Sequence, residues 1–85
     1  MPEVKYKSKE QLTEILTILV DEILNTQGFP VDASLYSAGF DSFSVLLLSK
    51  KILENVYNNP PTSLPWLFSC DSIKEIINEF LKIIK

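Results

Sequence analysis

Residues 42–57, Ser-Phe-Ser-Val-Leu-Leu-Leu-Ser-Lys-Lys-Ile-Leu-Glu-Asn-Val-Tyr, lie between Gly39-Phe40-Asp41 and Asn58-Asn59-Pro60-Pro61. That bracketing leaves room for one helix and little else. Gly39 takes the angles of a tight turn without a Cβ penalty, Asp41 is a preferred N-cap, and the paired prolines cannot continue a helix. The helix is expected from about Ser42 to Tyr57, with Ser42 in its first turn. Free backbone N–H groups and the positive end of the helix dipole favour a negative group there, so a phosphate ester on Ser42 would be well placed. Taken alone, Asp41 and Ser42 do no more than cap a helix.

The apolar residues of this helix do not fit one stripe. At roughly 100° per residue, Val45, Leu48, Ile52 and Val56 share one face, whereas Phe43, Leu46, Leu47, Lys50 and Leu53 cluster on another. One small core cannot take both faces equally. Either the helix is central and buried nearly all round, or one face stays exposed beside Ser42 as a docking surface.

The rest of the chain also reads as helix. Ser8-Lys9-Glu10-Gln11 has capping-box spacing, and Leu12, Ile15, Leu16, Leu19, Ile23 and Leu24 follow at helical intervals until Gly28. A long connection to Phe40 is anchored by Phe29, Val31, Leu35 and Tyr36, and loops of this length are uncommon unless functional. Leu64 to Phe68 forms a short turn behind a Ser63 cap. Ser72 and Glu75 open the last helix as a second capping box, with Ile73, Ile76, Ile77, Phe80, Leu81 and Ile84 on one face. The expected fold is all-α: a small four-helix bundle with three longer helices, one short third helix and a long loop between helices one and two. Residues 1–7 are expected to be a flexible N-terminal segment.

Composition narrows the function. The chain has 85 residues, 46% of them hydrophobic, which is enough for one small core and too apolar for a disordered chain. Net charge is −3, with no basic patch interleaved with aromatics, so nucleic acid is not an expected partner. No apolar run reaches membrane-spanning length and no secretory leader precedes the first helix, which points to a cytoplasmic protein without membrane contact. The absence of histidine removes the usual Ser-His-Asp and Cys-His arrangements, and no metal site is expected. Cys70 is the only cysteine and lacks a cationic neighbour in sequence, so it reads as a half-buried thiol in a turn. An enzyme is not expected, and any chemistry at Ser42 has to be supplied by another protein.

The segment Leu35-Tyr36-Ser37-Ala38-Gly39-Phe40-Asp41-Ser42-Phe43 resembles the signature of acyl and peptidyl carrier proteins, in which Gly-x-Asp-Ser-Leu bears the phosphopantetheine serine. Leu67-Phe68 and the following Ser69-Cys70-Asp71-Ser72-Ile73-Lys74-Glu75-Ile76 are similar to the Leu-Phe-x-x-Pro-Thr-Ile-x-x-Leu stretch of carriers in polyketide and peptide synthetases. With the helix spacing, the similarity covers about Glu10 to Leu81. It implies a single carrier domain over residues 8–85, acting as a monomer with no catalytic residue of its own. A phosphopantetheinyl transferase, using coenzyme A and magnesium, would attach phosphopantetheine to Ser42. The arm would carry acyl or aminoacyl groups as thioesters between loading and condensing enzymes. By the same resemblance Asp41 presents the serine to the transferase, and Phe43, Leu46, Leu47 and Lys50 meet partner enzymes.

The departures are also informative. Carriers of fatty-acid synthesis line this helix with Asp and Glu, whereas residues 44–51 here contain no carboxylate before Glu54. Partners should therefore read an apolar surface with local positive charge, which favours a polyketide, nonribosomal-peptide or hybrid pathway over fatty-acid synthesis. Asp71 replaces the usual proline, and Pro65-Trp66 is unusual in the short helix, with Trp66 assigned to the core. The alternatives are a fatty-acid-synthesis carrier or a carrier-like adaptor whose Ser42 is never modified. The initial methionine and capped first helix read as a discrete protein.

Overall fold

Segments of helical apolar spacing become helices, but the elements between them differ from expectation. The computed structural model of the protein describes residues 3–84. Its elements are β1 (Glu3–Val4), α1 (Lys9–Leu24), α2 (Ser42–Asn55), β2 (Tyr57–Asn59), a 3-10 helix (Pro65–Ser69) and α3 (Ile73–Ile84). The two strands pair antiparallel, Glu3 opposite Asn59 and Val4 opposite Tyr57, with an irregularity between them.

The expected all-α four-helix bundle is therefore corrected: three α-helices and a 3-10 helix are accompanied by a small antiparallel sheet. Residues 3–5, part of the segment expected to be flexible, are tied down. Val4 is 2% exposed and the Lys5 N–H donates to the Val56 carbonyl at 2.8 Å. Burying the valine and satisfying these backbone groups offsets the entropy of ordering a chain end. Met1 and Pro2 of that segment, like Lys85 at the other end, lie outside the described residues. The sheet also shortens α2, which stops at Asn55 rather than Tyr57, because Tyr57 enters β2 and packs its ring against Phe80 at 5.7 Å.

The expected short third helix is a single 3-10 segment. Leu64, not Ser63, is its N-cap and makes no side-chain cap bond. Pro65 follows at the first helical position, where its missing N–H leaves one donor fewer to satisfy. Trp66 is half-buried and meets Phe80 edge-on at 5.5 Å, so its ring belongs to the rim of the core.

The core gathers one face of each helix. From α1 it takes Leu12, Leu16, Leu19 and Val20, from α2 Val45, Leu48 and Ile52, and from α3 Ile73, Ile76, Ile77 and Phe80. Ser8 caps α1 by accepting from the Gln11 N–H at 3.1 Å. The helix ends at Leu24, before Gly28, because Asn25 takes the left-handed conformation (φ 58°) that Asn tolerates better than most residues. Asp21 then organises the exit, accepting from Thr26 Oγ1 at 2.6 Å, Gly28 N at 2.8 Å and Phe29 N at 3.0 Å. Those bonds, that from Thr26 foremost, hold its carboxyl below the usual carboxylate value.

Candidate functional site

Ser42 is the first residue of α2 and is exposed. Its position follows from the turn before it. Gly39 adopts φ 113°, a left-handed region that side chains rarely enter, while a Cβ built there would meet nothing within 4 Å. The glycine is thus required by the backbone angle, not by lack of space. Phe40 then turns inward to 5% exposure and Asp41 extends as the N-cap.

Asp41 Oδ1 accepts from both the backbone N–H of Ser44, at 2.9 Å, and its hydroxyl, at 3.0 Å. These bonds, the backbone one first, hold the Asp41 carboxyl below its ordinary value, so it is ionised at neutral pH. Its side chain is thus committed to the helix start. The neighbouring Ser42 hydroxyl, by contrast, points to no hydrogen-bonding partner among the described residues. It faces outward and can be reached by an incoming protein.

The two apolar faces of α2 separate as the second of the two expected arrangements. Val45, Leu48, Ile52 and Val56 are buried, whereas Phe43 is 72% and Leu46 57% exposed. Leu47 and Leu53 are half-buried and Lys50 is exposed. Leaving a phenylalanine and a leucine in water forfeits about 1.5–3 kcal/mol of burial for each. Both lie within the first two turns after Ser42, so the exposed surface adjoins the exposed hydroxyl.

Among the loop anchors, Leu35 is buried and Phe29 and Val31 pack partly against the core. Tyr36 is a correction. At 43% exposure it lies outside, with its hydroxyl donating to the Phe68 carbonyl at 3.2 Å. Phe40, not assigned to the core from sequence, is buried together with Val45. Their spacing was the available signal, since the residue before an N-cap commonly packs on the fourth helical residue.

Asp71, the residue standing in place of proline, ties this loop to α3. Its Oδ2 accepts from Ser34 Oγ at 2.8 Å, its Oδ1 from Tyr36 N at 3.1 Å, and its carbonyl from Leu35 N at 2.7 Å. Lys74 N donates to the Val31 carbonyl at 2.8 Å beside it. The second capping box is displaced by one residue. Ser72 Oγ accepts from Glu75 N at 3.2 Å, while the Glu75 carboxylate accepts from Asp71 N at 2.9 Å instead of Ser72 N.

Cys70, the C-cap of the 3-10 helix, is buried, with Sγ 3.8 Å from the Trp66 carbonyl. Burial, aided by the carboxylates of Glu75 and Glu79, pushes its thiol up to about 11. At neutral pH it is a protonated, poorly nucleophilic thiol.

No family model, curated protein or solved structure matches the chain. No helix among the described residues is long and apolar enough to cross a membrane.

Proposed function

We propose that this protein is a carrier whose Ser42 receives phosphopantetheine and which shuttles acyl or aminoacyl intermediates between enzymes of a polyketide, nonribosomal-peptide or hybrid pathway. One observation carries the reading: the serine of the Gly39-Phe40-Asp41-Ser42 signature is exposed at the first position of α2, beside the outward-facing Phe43 and Leu46. Attachment requires that Ser42 Oγ be accessible to the transferase, and Ser42 is exposed. Ser42 Oγ would bond to the phosphorus that bears the pantetheine arm as the pyrophosphate P–O bond of coenzyme A breaks, with adenosine 3′,5′-bisphosphate leaving and a base of the transferase taking the hydroxyl proton. The arm, when bound, supplies a terminal thiol that holds cargo as a thioester.

The chain's own residues present the serine and offer a docking face. Asp41 fixes the first turn through Ser44 and adds a negative charge beside the serine, suited to the magnesium that accompanies coenzyme A on the transferase. Phe43, Leu46, Leu47 and Lys50 form an apolar surface with one positive charge for the transferase and for the loading and condensing enzymes. The location that goes with these proposed partners is the cytoplasm.

A second reading is favoured by the same exposed face. Phe43 and Leu46 could serve an adaptor that binds a protein without modification of Ser42, because their exposure does not depend on the hydroxyl.

Thiol alkylation after treatment with coenzyme A, magnesium and a promiscuous transferase separates the two. At neutral pH the carrier should gain one fast-reacting thiol, absent from Ser42→Ala, while buried Cys70 reacts slowly in both. A folded sample that gains no such thiol counts against the carrier and favours the adaptor.

A further inference from the structure

We propose that the Asp71 side chain is a positioning residue for modification at Ser42, a role that rests on the reading of Ser42 as the attachment site. The inference comes from a division of labour within one residue. The Asp71 N–H serves α3, donating to the Glu75 carboxylate at 2.9 Å, while its carbonyl accepts from Leu35 N of the loop at 2.7 Å. Its carboxylate serves the loop ahead of Ser42, holding Ser34 Oγ at 2.8 Å and Tyr36 N at 3.1 Å.

From there the connection runs to the serine through short backbone links. Ser34 Oγ, held by Asp71, itself accepts from Ser37 N at 3.1 Å. Leu35 is pinned by donating to the Asp71 carbonyl at 2.7 Å. The Leu35 carbonyl in turn accepts from Ala38 N at 3.1 Å and Phe40 N at 3.0 Å. Phe40 precedes the Asp41 cap, and Asp41 precedes Ser42. The carboxylate thus closes a ring of bonds around residues 34–40, and the turn that aims Ser42 is built on that ring.

Bonds to an ionised acceptor are about twice as strong as neutral ones, so removing the carboxylate should loosen the loop selectively. Asp71→Ala keeps the main-chain bonds to Glu75 and Leu35. It therefore removes only the carboxylate's bonds to Ser34 and Tyr36 and leaves the start of α3 intact. Asp71→Asn retains an oxygen for Tyr36 N and offers an N–H that the Ser34 hydroxyl can accept.

A loosened loop presents Ser42 correctly in only a fraction of molecules, and apparent affinity falls by that fraction. The prediction is a KM effect. With the 85-residue chain, a promiscuous transferase, coenzyme A and magnesium, Asp71→Ala should raise KM for the carrier about tenfold with kcat unchanged. Amide exchange of Tyr36 to Phe40 should accelerate alongside, and Asp71→Asn should return both toward wild type. A purely stabilising role would lower the melting temperature and leave KM, measured far below melting, where it was. Wild-type loading with an unaltered Asp71→Ala KM overturns the positioning role and leaves the carrier reading intact. No loading of wild type overturns the carrier reading and, with it, the role of Asp71 in loading.

Discussion

Helices α2 and α3 are both rich in apolar residues, yet they use them in opposite ways. Along α3 the apolar residues fall mainly on one side, and Ile73, Ile76, Ile77 and Phe80 are all buried, with only Ile83 largely exposed. Along α2 the core takes Val45, Leu48 and Ile52, and a surplus begins immediately after Ser42 with Phe43 and Leu46 in water. Stability accounts for the first pattern and not for the second. The difference teaches where to look for function: the apolar side chains of α2 that the core does not absorb lie together beside Ser42, and the proposed docking rests on them.

The comparison can be broken most sharply at Phe80. This ring packs against both Tyr57 and Trp66, and Phe80→Ala should destabilise the protein by about 3–5 kcal/mol in denaturant unfolding. A cost below about 1 kcal/mol would mean that α3 is not the core helix described. Val4→Ala removes two buried methyl equivalents from the strand paired with Tyr57, for a cost of about 1–2 kcal/mol. A freely fraying N-terminus would instead register no change.

At the other end of the comparison, acid should loosen the start of α2 before the core melts. The Asp41 carboxyl has its folded pKa below its unfolded one, so its contribution is fully present above the unfolded value, about 4. It is lost as pH falls through the folded value. A pH titration of Ser44 amide exchange should show this protection disappearing in acid. Asp41→Asn, which cannot ionise, should flatten the profile.

The smallest stability effect is expected on the outer face of α2. Leu46→Glu should change stability by less than about 0.5 kcal/mol, as a substitution at an exposed position does, while reducing transfer to partner enzymes. Leu47→Glu should cost more, because Leu47 is half-buried. If Leu46→Glu unfolds the protein, the outer face of α2 belongs to the core and the contrast with α3 disappears.

Much of this arrangement was legible in residue spacing. The repeat of Ile73, Ile76, Ile77 and Phe80 admits one helical face, and the two faces of α2 follow from the angles between its apolar residues. Caps were legible where side chains do the work, as at Ser8 and Asp41. The sheet was less so. Its strands are two and three residues long, and their pairing spans most of the chain, so no local period announces it. The alternation of Val4 and Tyr6 with Lys5 and Lys7 was the one trace. It competed with the ordinary tendency of chain ends to fray.

The loop shows a different limit. Leu35 declares itself as apolar among polar residues, but Tyr36 is equally apolar in sequence and lies outside because its hydroxyl reaches the Phe68 carbonyl. Asp71 read as a departure from a pattern. Its partners Ser34 and Tyr36 come from a distant segment, so its function as a tie between loop and α3 exists only in three dimensions.

The central claim is that Ser42 is an attachment point, and intact-mass measurement tests it most directly. Wild-type protein and Ser42→Ala would be weighed before and after incubation with coenzyme A, magnesium and a promiscuous phosphopantetheinyl transferase. A single phosphopantetheine added to wild type and none to an equally folded Ser42→Ala is the predicted result. Folded wild-type protein that gains no mass, or a mutant that gains the same mass, would contradict it.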